Sequence, residues 1–167
     1  IRRYARRDAQ KAAVVWRTFR SSHAFSAAER QLLDEHIAVE LAGDGQFPET
    51  DQREMLASEF ALNGMVNAAI AHQRWDEVLY WINRVSGVEA GKSRNLYWLA
   101  RAQQQLGQPH SFAELAARRD YYGFMAAAQV NDDVELNAAP AKPLSQADEM
   151  RLLAIPCLLY TSDAADE

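Results

Sequence analysis

Residues 95–130 read NLYWLARAQQQLGQPHSFAELAARRDYYGFMAAAQV. Leu96, Leu99, Ala100 and Leu106 recur at helical spacing, which predicts an amphipathic helix with these four on one face. Trp98 projects from the opposite side, so this helix is expected to touch neighbours on two faces. Gly107 supplies its stop, with Pro109 just beyond. Ser111 followed three residues later by Glu114 predicts a capping box on a short second helix. From Tyr121 the chain is almost entirely apolar through Val130, with no clean polar face, and a helix of that kind is expected to be buried. Gly123, Ala126 and Ala127 are small enough to let another helix approach closely.

Upstream the same grammar repeats. A first helix is expected over 3–20, with Ala5, Ala9, Ala12, Val15, Trp16 and Phe19 as its apolar stripe and Arg2, Arg3, Arg6, Arg7, Lys11, Arg17 and Arg20 against a lone Asp8 making it basic. Ser26 and Glu29 form a capping box for a second helix with Leu32, Leu33, Ile37 and Leu41 inward, ended by Gly43 to Gly45. After the loop Phe47-Pro48-Glu49, Thr50 is expected to cap a third helix. Leu62, Met65, Val66, Ala69 and Ile70 continue its pattern straight through Asn63-Gly64. A fourth helix, 75–85, has Val78, Leu79 and Ile82 as its core side. Ser86-Gly87 breaks it, and Ser93 opens the helix described above. The expected class is therefore all-α, with helical hairpins stacked into a tetratricopeptide-like solenoid or superhelix. A faint internal repeat agrees: Val14-Val15-Trp16 recurs as Leu79-Tyr80-Trp81, 65 positions on, near two units of about 34 residues.

Past Val130 the composition changes. Residues 131–144 are polar, contain Pro140 and Pro143, and read as a connector, with a short extended piece expected at Val134-Glu135-Leu136. Ser145 is placed to cap a new helix over 146–155, with Met150 and Leu153 expected inward. Residues 157–167, CLLYTSDAADE, read as the translation of a transposon-based sequencing adaptor and are set aside from the fold. Without them the chain has no cysteine, so redox compartment is not readable, and carries 20 acidic against 18 basic residues, a net of −2. Ile1 is not an initiator, so the chain is expected to be internal to a longer frame and to be truncated near Pro156.

Composition excludes several classes. At 49% hydrophobic and 25% charged the chain is ordinary globular material. A formal charge of −5 gives no reason to expect nucleic acid. No apolar run approaches the roughly 20 residues that span a bilayer. His23, His36, His72 and His110 have no i, i+4 partner and no cysteine companions, so they are expected at surfaces and caps, with no metal bound. There is no glycine-rich phosphate loop, and the acidic residues fall mostly at helix starts, where the helix dipole accounts for them. Neither a catalytic residue nor a cofactor-binding residue is expected in this chain. Tyr97, Trp98, Tyr121 and Tyr122 admit a reading as a sugar-stacking platform, but at this spacing they read first as core.

Three strings, RWDEVLYWINRV (Arg74 to Val85), YWLARAQQQLGQ (Tyr97 to Gln108) and RRDYYGFMAAAQV (Arg118 to Val130), in this order resemble the soluble lytic murein transglycosylases of Gram-negative bacteria. The resemblance rests on Tyr97, Trp98, Ala100, Gly107, Tyr121, Tyr122, Gly123 and Phe124 as structural markers. It implies that residues 1–130 are the end of a superhelical domain, 131–144 a connector, and 145–156 the first helix of a linker domain. It implies a periplasmic parent enzyme that cleaves the β-1,4 bond between N-acetylmuramic acid and N-acetylglucosamine of peptidoglycan, giving 1,6-anhydro ends without metal or organic cofactor. The partners implied are the glycan strand and a downstream catalytic domain in cis. The family's acid, a Glu followed by Ser with Gly-Leu-Met-Gln downstream, is in neither form present here, so this segment would be non-catalytic scaffold. The helix after Ser111 is shorter than the family pattern. A stand-alone tetratricopeptide-like adaptor with a groove lined by Asn, Lys and Arg is the alternative. A basic membrane-surface module resting on the first helix is a third reading.

Overall fold

The computed structural model describes residues 1–130 and 143–154. Every regular element among them is helical, and no strand occurs among the described residues. In chain order the helices are α1 (Arg2–Ala5), α2 (Ala9–Ser22), α3 (Ala27–Gly43), α4 (Thr50–Arg53), α5 (Glu59–Ala71), α6 (Trp75–Ile82), α7 (Gly87–Ala90), α8 (Ser93–Gln105), α9 (Ala113–Ala116), α10 (Tyr121–Val130) and α11 (Gln146–Leu153). The described residues fall into two units, 1–130 in the first and 143–154 in the second. In the first unit the longer helices pack in order, α2 on α3, α3 on α5, α5 on α6, α6 on α8 and α8 on α10. Each of these contacts joins helices close together in the chain, which does not conflict with a helical array.

Three apolar clusters follow one another along the chain. Ala5, Ala12, Trp16 and Ile37 join α1, α2 and α3. The largest holds Leu56, Met65, Val66, Val78, Trp81 and Ile82 at the centre of α3 to α8. The third sets Tyr97, Ala100, Phe112, Leu115 and Ala126 between α8, α9 and α10. Trp81, Met65, Val66 and Val78 are fully buried, each contributing about 1.5–3 kcal/mol through burial. Helix α8 serves two clusters, as its two apolar faces require: Ala102 and Leu99 go to one, Tyr97 and Leu96 to the other, and Trp98 touches both. The expected single face of Leu96, Leu99, Ala100 and Leu106 is therefore divided. Leu106 is exposed and follows the last helical residue, beside Gly107 at φ +66°.

Side-chain caps set several boundaries and correct several expectations. The first basic helix is two helices, because Asp8 turns out of the helical region and its carboxylate accepts the Lys11 N–H at 2.9 Å. Its stripe is buried at Ala5, Ala9, Ala12 and Trp16, but Phe19 is exposed. Ser26 and Glu29 form the full capping box. The helix that they start buries Glu35, His36, Ile37 and Ala42, whereas Leu32 is exposed. The helix expected from Thr50 is also two. Thr50 is the first residue of a single turn, and Ser58 caps α5 by accepting the Ala61 N–H at 3.1 Å. Asn63-Gly64 lies inside α5, as the periodicity predicts.

Ser111 does not form a box with Glu114. Its hydroxyl accepts the Ala113 N–H at 3.3 Å and Phe112 is the N-cap residue, so the local loop is a tight turn. In α10 Gly123, Ala126 and Ala127 are buried, but Tyr121 is 68% exposed and Val130 is exposed, so this helix has an outer face. A Cβ at Gly123 would lie 2.1 Å from the Arg118 carbonyl oxygen. The glycine is thus required by the turn entering its own helix, not by a second helix.

In the second unit Ser145 caps α11 by accepting the Asp148 N–H at 3.2 Å. Met150 is exposed, contrary to expectation. The connector expectations for 131–142, the Leu153 side chain and the segment 157–167 lie outside the described residues.

Candidate binding groove

A concavity of about 1060 Å³ in the first unit lies between α2, α3 and the segment 48–56. Its construction starts from Trp16. The indole is buried where α2 meets α3, stacks edge-on against Phe25 at 5.0 Å, and donates its N–H to Asp34 Oδ1 at 2.6 Å. Arg20 donates to the same carboxylate through Nη2 at 3.0 Å and Nε at 3.3 Å. Both oxygens of the acidic side chain in the groove are thereby engaged by the protein itself. Ile37, Leu41 and Leu56 supply apolar lining, and Arg17, Arg20 and Arg30 supply cations from α2 and α3. Among the described residues Arg17 and Arg30 pair with no carboxylate.

The third wall is short and would be weak alone, since a single helical turn has little intrinsic stability. Two arginines tie it down. Arg53 donates Nε–H to the Pro48 carbonyl at 2.9 Å, pairs with Glu77 Oε1 at 2.5 Å, and lies 4.9 Å from the centre of the Tyr80 ring. Arg84 donates to the Tyr80 hydroxyl at 3.2 Å and to the Glu54 and Leu56 carbonyls at 3.4 Å. Glu77 is buried, and its second oxygen accepts the Trp81 indole N–H at 2.9 Å. The two tryptophans of the faint repeat thus share a chemistry, each donating to a carboxylate that also holds an arginine. They do not share geometry: Asp34 comes from the next helix, Glu77 from the same helix four residues earlier.

A second buried carboxylate, Glu35, accepts the Ser58 hydroxyl at 2.5 Å and the N–H groups of Ser58 and Ala57 at 3.1 and 3.3 Å. Burial alone would raise its carboxyl. The hydrogen bonds from Ser58, Ala57 and Gln31 outweigh burial and hold it below the usual carboxylate range. His36 is also buried, against Phe60 at 4.3 Å, and its Nε2 has no hydrogen-bond partner among the described residues. Burial, then the positive charges of Arg2 and Arg6, lower its ring below the ordinary histidine value. This overturns its placement at a surface. The other three histidines are exposed: His23 and His72 follow the last residues of α2 and α5, and His110 lies against the Gln108 carbonyl at 3.1 Å. His72 donates Nε2–H to the Gly43 carbonyl at 2.8 Å, joining two helix ends. Among the described residues no three His, Cys, Asp or Glu side chains gather as a metal site.

Of the marker residues, Tyr97, Trp98, Ala100 and Tyr122 pack in one cluster, and none of the markers lines the groove. Tyr97 and Ala100 are buried, Trp98, Tyr122 and Phe124 are half-buried, Gly107 turns the chain, and Gly123 is buried in the first turn of α10. Tyr97 lies 5.7 Å from both Phe112 and Tyr122. Asp120, which the sequence reading passed over, sets this region: it accepts the Ser93 hydroxyl at 2.5 Å and the Gly123 N–H at 2.9 Å. Those two bonds lower its carboxyl. Arg118 closes the same corner through the Gly91 carbonyl at 3.0 Å and the Ser93 hydroxyl at 3.1 Å. Tyr121 is the exposed aromatic marker, its ring edge-on to Tyr122 at 5.1 Å.

The missed residues share a reason. Glu35, His36 and Glu77 are polar side chains at core positions, so an apolar periodicity cannot reveal them. Ser58 was findable: it precedes Glu59 and the apolar run of α5, an ordinary helix-start signal. No described helix is long and apolar enough to cross a membrane. No family model matches the chain, and no curated protein matches it.

Proposed function

We propose that this chain is a non-catalytic helical scaffold segment of a lytic transglycosylase. Its helices continue a superhelix that flanks the peptidoglycan glycan strand in the periplasm. The parent would cleave the bond between N-acetylmuramic acid and N-acetylglucosamine to give 1,6-anhydro ends, using a catalytic domain further along the same polypeptide. The observation that carries this reading is the ordered trio of strings, 74–85, 97–108 and 118–130, falling on consecutively packed helices α6, α8 and α10. The chemistry is in keeping with it. A transglycosylase acid must stay protonated near neutrality. Glu35 is held ionised by four donors, and Glu77 is occupied by Arg53 and Trp81.

The test is the DNA beyond the codon of Pro156. A continuing frame that encodes Glu-Ser and then Gly-Leu-Met-Gln supports the reading. A frame that runs through Cys157 to Glu167 and stops sinks it in favour of a stand-alone adaptor. Purified chain incubated with peptidoglycan sacculi should release no anhydro-muropeptides, and their release would overturn the scaffold role.

A further inference from the structure

We infer that the groove between α2, α3 and the segment 48–56 is a docking site for an acidic linear peptide that carries apolar side chains between its carboxylates. The inference goes beyond the scaffold role and does not depend on the parent being a transglycosylase. It starts from charge. Three arginines line the groove against one carboxylate, and that carboxylate is already engaged by Trp16 and Arg20. Arg17 on α2 and Arg30 on α3 are left with guanidiniums that no described carboxylate satisfies. A guanidinium presents a planar fork of donors that matches a carboxylate two bonds at a time. Two such forks on facing helices select a ligand with at least two carboxylates.

The lining decides the rest. The apolar lining open to a ligand is the exposed Met55 with the half-buried Ala38 and Leu41, over a floor of the buried Ile37 and Leu56. Apolar side chains projecting from an extended or helical peptide would cover this strip, as in recognition of acidic motifs by arginine clusters. At about 1060 Å³ the groove is at the upper end of small-ligand clefts and suits several residues of peptide. A glycan fits less well. Sugar rings want an aromatic face, and the aromatic side chain in the lining, Trp16, is only 4% exposed with its N–H already used. A nucleic acid would want more cations than three and none of the aliphatic strip.

The experiment uses the whole chain and a labelled synthetic peptide alternating glutamate and leucine, followed by fluorescence anisotropy. The expected result is saturable binding that weakens with added salt, and weakens about tenfold or more for the matched glutamine peptide. Arg17→Ala with Arg30→Ala should lose about tenfold or more while the far-ultraviolet spectrum stays unchanged. Ala27→Trp, at an exposed position of the lining, should block binding sterically without removing any charge. Equal binding of the glutamine peptide, no loss in either variant, or no binding at all would overturn the inference. So would peptide-free glycan strands that bind the wild-type chain and lose that binding on the same substitutions.

Discussion

The Ser58 hydroxyl lies 2.5 Å from Glu35 Oε2, which ties the start of α5 to the middle of α3 across 23 residues of chain. The same carboxylate takes the Ser58 and Ala57 N–H groups, so one buried side chain does for α5 what a cap from within the sequence normally does. Glu35→Ala should destabilise the chain by about 3 kcal/mol, because buried donors lose their acceptor. Ser58→Ala should cost less, about 1–2 kcal/mol, because the Glu35 carboxylate still holds the backbone N–H groups. Urea denaturation of both variants checks the order, and a larger loss for Ser58→Ala would refute the assignment.

The lowered carboxyl of Glu35 also sets a direction with pH. A carboxyl whose folded value is depressed contributes stability above its unfolded value, near 4.5. That contribution is lost as pH falls through the folded value. Glu35→Gln should therefore flatten the acid limb of the stability profile below about pH 4.5, measured by thermal melts across pH.

His36 titrates in a separate window. Its ring is held below the ordinary 6.5 by burial and by Arg2 and Arg6, with Glu40 and Glu35 opposing. The unfolded chain therefore binds a proton before the folded one does, and stability present above pH 6.5 declines as pH falls below it. His36→Leu should remove that slope. It also removes a buried Nε2 without a partner, so stability at neutral pH should fall by no more than about 1 kcal/mol. An unchanged slope in His36→Leu would show that another group carries it.

Gly123 and Gly64 should respond differently to alanine. At Gly123 the added methyl meets the Arg118 carbonyl at 2.1 Å, a backbone atom that cannot turn aside. Gly123→Ala should cost about 2–3 kcal/mol. At Gly64 it meets the two methyls of Val39 at 2.7 Å. There a rotamer change gives partial relief and helix propensity offsets about 1 kcal/mol, so Gly64→Ala should be the milder by thermal denaturation.

The Arg53–Glu77 pair should be strongly coupled. Arg53→Met leaves the Glu77 carboxylate, 2% exposed, with the Trp81 N–H and the longer Arg74 contact at 3.7 Å, and should cost about 2–3 kcal/mol. Adding Glu77→Met should recover part of that loss, which a double-mutant cycle reads directly. Additive losses would mean that Arg53 acts through Tyr80 and Pro48 instead.

The sequence by itself determined the helical class and most helix starts. Ser26, Gly107 and Ser145 act through atoms within four residues of themselves, and the Leu62 to Ile70 spacing survives any tertiary context because burial on one face needs only local periodicity. Asp8 and Ser58 were legible in principle for the same reason. What only the tertiary structure decided lies at long range. That Glu35 caps a helix 23 residues later, that Asp34 takes Trp16 and Arg20 together, that α8 divides its leucines between two clusters, and that Arg17 and Arg30 face one groove all depend on which helices meet. A polar residue in a core position carries no periodic signal of its own, since its partner, and not its spacing, makes burial tolerable.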